Sequence, residues 1–187
     1  MRRMPLSIPF RDVAATVAPG SVAFLKLESD AQGLRGGILV TTALGEPLEF
    51  AFSRIDVHAS VLWRAGDAHR SAVVQLARVL FPALATRPDC LAMLAEEVPA
   101  RLFLDEIRLE LPACRVGGSG AIHALDEMDE PIDDTLHLYW IGHPPSSDDP
   151  ARMLIDSLRD RELLVEPFDR ASLGLREALG DSPNVVA

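Results

Sequence analysis

Gly37-Ile38-Leu39-Val40-Thr41-Thr42, then Gly45-Glu46-Pro47, then Leu48-Glu49-Phe50-Ala51-Phe52-Ser53 is the stretch whose reading decides the fold. The first segment is a continuous apolar run closed by two threonines, the pattern of a strand covered on both faces. Glycine and proline then turn the chain. In the third segment Leu48, Phe50 and Phe52 alternate with Glu49, Ala51 and Ser53, the period of a strand covered on one side. Ser21 to Glu28, with Val22, Phe24 and Leu25, reads as a strand before them, and Asp30, Gly33 and Gly36 supply the intervening turn. Three such strands joined by short turns predict an antiparallel meander.

Helical periodicity begins after Asp67, where Val73, Ala77, Leu80 and Leu84 recur at three- and four-residue spacing and Pro82 marks a kink or stop. Pro88-Asp89 opens a predicted short helix, Cys90 to Glu97, which Pro99 closes. Arg101 to Glu106 reads as a buried strand ending in two acids, and Cys114 to Val116 as a further short strand. Residues 126 to 134, six of nine acidic, read as a solvated loop. Leu136, Leu138 and Trp140 alternate with His137, Tyr139 and Ile141 in another strand. Asp149 caps a helix with Pro150 at its first position. A last helix follows Glu166-Pro167, with Phe168, Ala171, Leu175 and Leu179 on one face and Gly180 as its stop. The expected class is α+β, a mixed sheet of meander plus further strands packed with helices. Residues 1–187 are read as a single domain with an N-terminal arm at 1–20 and a loose tail at 181–187.

Of 187 residues 48% are apolar, an ordinary globular share. No apolar run reaches the roughly 18 to 20 residues of a membrane helix, and Pro5, Pro9, Arg11 and Asp12 interrupt any export signal behind Arg2 and Arg3. Cys90 and Cys114 form no CxxC pair and read as small buried hydrophobes, so a reducing cytoplasm is expected. The net charge of −10 is segregated: residues 1–100 carry ten basic and ten acidic side chains, whereas 101–187 carry eight and eighteen. A pI near 4.9 argues against a general nucleic-acid binder and leaves only a local patch or a partner for that role. Lys26 is the one lysine among eighteen basic residues, and it lies in a strand without a glycine loop, which removes Walker-type and Schiff-base chemistry.

His58, His69, His123, His137 and His143 lack metal-ligand spacing. Gly118-Ser119-Gly120 lacks the spacing of a serine-hydrolase elbow, and nothing matches the dinucleotide GxGxxG pattern. The acids Asp126, Glu127, Asp129, Glu130, Asp133 and Asp134 lack the central glycine of an EF-hand loop and carry Pro131 instead. They read as a solvated face that could dock on a basic partner. No metal or cofactor is expected from these patterns.

The order of meander, helix and a strand ending at Asp105-Glu106 is similar to the first half of the ribonuclease H-like fold. Nucleases of that fold place carboxylates on the first strand, at the fourth strand and on a late helix to hold two divalent metals. The resemblance implies Glu28, Asp105 and Asp156 for those places, with Arg101 or Arg108 steering phosphate. Mid-strand, where an aspartate is expected, the first strand carries Lys26 and Glu28. Separately, Gly36 to Thr42, Gly45-Glu46-Pro47-Leu48-Glu49-Phe50 and Glu166-Pro167-Phe168 resemble a family of uncharacterised bacterial proteins, a resemblance that brings no catalytic residues.

The charge segregation leads to a first expectation of a non-catalytic subunit or adaptor that binds another protein through its acidic half, with no membrane partner. Alternatives are a metal-dependent nuclease, or a degenerate nuclease-like domain, built on Glu28, Asp105 and Asp156, and a small-molecule sensor with Trp63, Tyr139 or Trp140 in its pocket wall.

Overall fold

The meander forms with ten residues in each strand, in a computed structural model that describes residues 6–7, 20–30, 33–56, 64–99, 101–121, 124–125 and 127–180. The expected tail and all of the expected arm except Leu6, Ser7 and Gly20 lie outside the described residues. After the two-residue β1 (Leu6–Ser7) come β2 (Ser21–Asp30), β3 (Gly33–Thr42) and β4 (Pro47–Asp56). β3 is buried along its whole length, Arg35 and the two threonines included, as a strand covered on both faces is. Antiparallel pairing sets Leu25 opposite Ile38 and Leu39 opposite Phe50.

Helix α1 (Ala65–Ala83) follows, one residue past Pro82, and the chain returns in β5 (Cys90–Leu94), parallel to β2. This corrects the expected helix at 90–97. Cys-Leu-Ala-Met-Leu has helix-compatible residue types, but all five are apolar and none offers a wet face. The slot beside β2 is covered on both sides, and tertiary burial there outweighs propensity. The next expectation is corrected in the opposite sense: Leu102–Asp105 is a short helix, α2, whose turn is closed by Asp105 N–H to Arg101 O at 2.8 Å. The short β6 (Ile107–Arg108) pairs with β1.

β7 (Ala113–Gly118), β8 (Glu127–Pro131) and β9 (Leu136–Ile141) complete a seven-stranded mixed sheet of order β4-β3-β2-β5-β7-β9-β8. The acidic segment expected as a loop is thus an edge strand, antiparallel to β9. Helix α3 (Pro150–Asp160) starts where expected, with Asp149 accepting from the Ala151 N–H at 2.8 Å. Helix α4 (Glu166–Leu179) ends at Gly180 in the left-handed region, φ 82°.

Alternation along the central strands divides the core in two. Ala23, Leu25, Leu27, Leu91 and Met93 face α1 and α2, whereas Val22, Phe24, Cys90, Ala92 and Cys114 face α3 and α4. Both cysteines are buried and free. Helix α4 lies close to the meander because Gly174 has no side chain: a Cβ there would stand 2.9 Å from the Phe50 ring. No helix among the described residues is long and apolar enough to cross a membrane.

Candidate functional site

Parallel strands side by side leave a crevice beyond their carboxyl ends, the usual place of a site in such sheets. Here β2 continues past the end of β5, so its Leu27 N–H lacks a ladder partner on that side. Glu97, three residues beyond β5, fills the gap: it accepts from Leu27 N–H at 2.8 Å with one oxygen and from Lys26 Nζ with the other. The side chains of Lys26 and Glu97 are 17% and 13% exposed, so the pair is part-buried and not sealed from water. Burial pushes the Glu97 carboxyl above its ordinary range, and the bonds from Lys26 and Leu27 pull it part of the way back.

Beside this pair, Glu28 is bonded to Arg35 Nη2 at 3.0 Å and to the Ser172 hydroxyl of α4. Arg35 and Arg54 share Asp30, at 3.6 and 3.3 Å. The end of β2 therefore carries a row of alternating charges, each carboxylate matched to a cation.

The loop that delivers Glu97 is held from the other direction. Buried Arg115 on β7 donates to Ala95 O at 3.1 Å and Val98 O at 3.0 Å, bracketing Glu97, and makes a two-pronged bond to Glu127, 2.7 Å on each arm. Glu127 also accepts from the Ala124 N–H at 2.7 Å, and the Tyr139 ring lies 5.7 Å from the guanidinium. The remaining lone pairs and protons of this buried pair are largely met by neighbours.

The three acids expected to share metal are not brought together. Glu28 is engaged as described. Asp105 stands on α2 in a bond to Arg101 at 3.0 Å, and Asp156 on α3, across the sheet, is held by Arg152 at 3.0 Å and Arg159 at 3.1 Å. Of the expected steering arginines, Arg101 is thereby tied to Asp105. Among the described residues no three His, Cys, Asp or Glu side chains converge as a metal site.

The acidic segment is placed differently from a solvated face. Glu127 is buried against Arg115. Glu130 receives Arg152 through both nitrogens, at 2.7 and 2.6 Å, and the Trp140 Nε1–H at 2.8 Å. Asp129 bonds His137 Nδ1 at 2.7 Å, and Asp133 accepts from the Thr135 and Leu136 amides at 2.7 and 2.8 Å. Asp134 is exposed, and Asp126 lies outside the described residues. Tyr139 and Trp140, expected in a pocket wall, are core residues, with Tyr139 O–H donating to Gly118 O at 2.7 Å. Trp63 lies outside the described residues. An open groove of about 570 Å³ on α3, lined by Met153, Asp156, Ser157, Asp160 and Arg161, contains none of these aromatics.

Three solved structures are similar to this chain. The endonuclease V of Streptomyces avermitilis is 12% identical, with a TM-score of 0.57 over 93% of this chain and 87% of that one. A protein of unknown function from Archaeoglobus fulgidus is 12% identical, with a TM-score of 0.50 over 85% and 98%. The endonuclease V of Bacillus subtilis is 15% identical, with a TM-score of 0.47 over 91% and 86%. The fold is α+β and ribonuclease H-like. No family model matches the chain and no curated protein does, so the likeness to an uncharacterised bacterial family carried by the β3–β4 and α4 motifs finds no support.

The shared fold corrects the first functional expectation. A subunit or adaptor acting through protein–protein binding is not what the likeness in fold to an endonuclease V favours; that likeness fits the alternative, a nuclease-like domain, better. It also re-assigns the fourth strand. That strand is β5, parallel to the first strand of the meander, so the acid at its end is Glu97 and not Asp105. Glu97 is hidden in the sequence because Cys90 to Glu97 has the residue types of a short helix. The signal that could have found it is the six-residue apolar run Cys90 to Ala95 followed by Glu96-Glu97, a buried parallel strand with acids just past its carboxyl end.

The fold family implies divalent metal held by carboxylates, and the residues here do not fit it. The mid-strand place on β2 is an ammonium. The nearest carboxylates, Glu97 and Glu28, are neutralised by Lys26 and Arg35.

Proposed function

We propose that this chain is a nuclease-like domain that engages the sugar–phosphate backbone of nucleic acid at the carboxyl edge of β2 and β5, without the acid set of metal-assisted cleavage. The observation that carries this reading is Lys26, the one lysine of the chain, standing in the middle of the first strand where metal nucleases of the fold place a carboxylate. Lys26 and Arg35, an ammonium on β2 and a guanidinium on β3, are the cations of this edge, each paired in the unliganded chain with a carboxylate that a phosphate must displace or outcompete. With a net charge of −10 the overall field opposes a polyanion, so contact depends on this local patch and weakens with salt.

The test is titration of labelled single- and double-stranded oligonucleotides by fluorescence anisotropy, at low and physiological salt, with EDTA or with magnesium. A gel assay follows cleavage in the same tubes. Salt-sensitive binding on the order of 10⁻⁶ to 10⁻⁴ M that survives EDTA and leaves the strands intact is the expected outcome. Absence of binding even at low salt would overturn the reading, and magnesium-dependent cleavage would overturn its metal-free part.

A further inference from the structure

The contact between Glu97 and β2 has the form of an anion in its site. An ammonium, Lys26 Nζ, and a backbone N–H, Leu27, converge from one strand on the two oxygens of a single carboxylate. The same pair of donors suits the oxygens of a phosphate, which carries charge and several strong acceptors. We propose that Lys26 and the Leu27 N–H form a phosphate-oxygen site that the chain's own Glu97 carboxylate plugs, and that a ligand phosphate enters by displacing it. The proposal rests on the nucleic-acid reading for the polymer that carries the phosphate, and on this geometry for the site itself.

Three features separate a plug from a structural tie. The backbone on either side of Glu97 is fixed independently of its side chain: Ala95 N–H bonds Val116 O at 2.8 Å, Val98 N–H bonds Leu94 O at 3.0 Å, and Arg115 holds the Ala95 and Val98 carbonyls. The side chain can therefore rotate out about its own torsions while the loop stays in place. The pair is not sealed from water, both partners being part-exposed. The neighbouring carboxylate Glu28 faces Arg35 and Ser172, which leaves Lys26 as the cation that a phosphate would meet once Glu97 has turned out.

The experiment uses the full chain and its Glu97→Gln, Glu97→Ala, Lys26→Met and Lys26→Met/Glu97→Gln variants, each shown folded by a cooperative thermal transition. Inorganic phosphate is titrated by calorimetry, and a short fluorescein-labelled single strand by anisotropy. Opening the plug is expected to tighten phosphate about tenfold in Glu97→Gln, and the gain is expected to vanish in the double variant. Equal phosphate affinity in wild type, Glu97→Gln and Glu97→Ala would overturn the proposal. Tighter phosphate in Glu97→Gln with no oligonucleotide bound by any variant would uphold the site and sink the nucleic-acid reading. Equal phosphate affinity in wild type and the Glu97 variants, with oligonucleotide binding still weakened by Lys26→Met, would do the reverse. Should Glu97→Ala fail to fold, the isosteric Glu97→Gln decides alone.

Discussion

Arg115–Glu127 and Lys26–Glu97 are both cation–carboxylate pairs of the same sheet, and the loop 95–98 touches both. They differ in solvation. Arg115 and Glu127 are 1% and 0% exposed, and the guanidinium fork meets both carboxylate oxygens while two carbonyls, an amide and an aromatic ring complete the set. Lys26 and Glu97 meet through one ammonium, part-buried and not sealed from water. The first arrangement has no room for a competitor and ties β8 to β7 across β9. The second uses donors that any anion of suitable shape could take. A flexible ammonium is a point charge that can change partners, whereas a planar fork in a fitted site holds one.

The comparison breaks most readily at Glu127. Glu127→Ala leaves a buried guanidinium uncompensated and is expected to cost about 3–5 kcal/mol in urea unfolding. Replacing both partners, Arg115→Met with Glu127→Leu, is expected to recover most of that loss, because the desolvated charge leaves with its counter-ion. A double variant as unstable as the single one would show that the carbonyl contacts of Arg115, and not its charge pairing, hold the loop.

Lys26→Met tests the other pair and is expected to cost less, about 1–2 kcal/mol, since Glu97 can turn to water when its partner is gone. A loss equal to that at Glu127 would erase the distinction drawn between a lock and a plug.

A smaller effect is expected in pH dependence. The folded-state carboxyl of Glu97 lies above its unfolded value, so its titration contributes stability that is fully present below the unfolded value and is lost as pH rises through the folded one. The melting temperature of wild type relative to Glu97→Gln is accordingly expected to fall as pH is raised from about 4 to 7. An unchanged gap would mean that Lys26 fully offsets burial.

Asp133 supplies the opposite sign and the slightest effect. The Thr135 amide and hydroxyl and the Leu136 amide hold its carboxyl below the ordinary range. The stability it contributes is present above the unfolded value and lost as pH falls through the folded one. Asp133→Asn is expected to lower the melting point slightly at neutral pH and not at all in acid, as followed by circular dichroism.

Local chemistry determined much of this protein from sequence alone. The alternation at Leu48, Phe50 and Phe52, the Asp149-Pro150 start of α3 and the Gly180 stop of α4 were legible because each depends on neighbours within a turn or a strand. The meander and the helix that follows it were legible for the same reason. Tertiary structure alone decided that Cys90–Leu94 is the central parallel strand and that 101–106 is not, since five apolar residues carry no period and their conformation follows from the slot beside β2. It also decided the fate of the acids. An acidic run reads as a solvated face until Arg115 and Arg152, distant in the chain, are folded against Glu127 and Glu130. The same holds for the crevice: Lys26 was visible in the sequence as the cation in a carboxylate's place, but Glu97, its partner 71 residues away, was found only where the end of β5 exposes the Leu27 N–H.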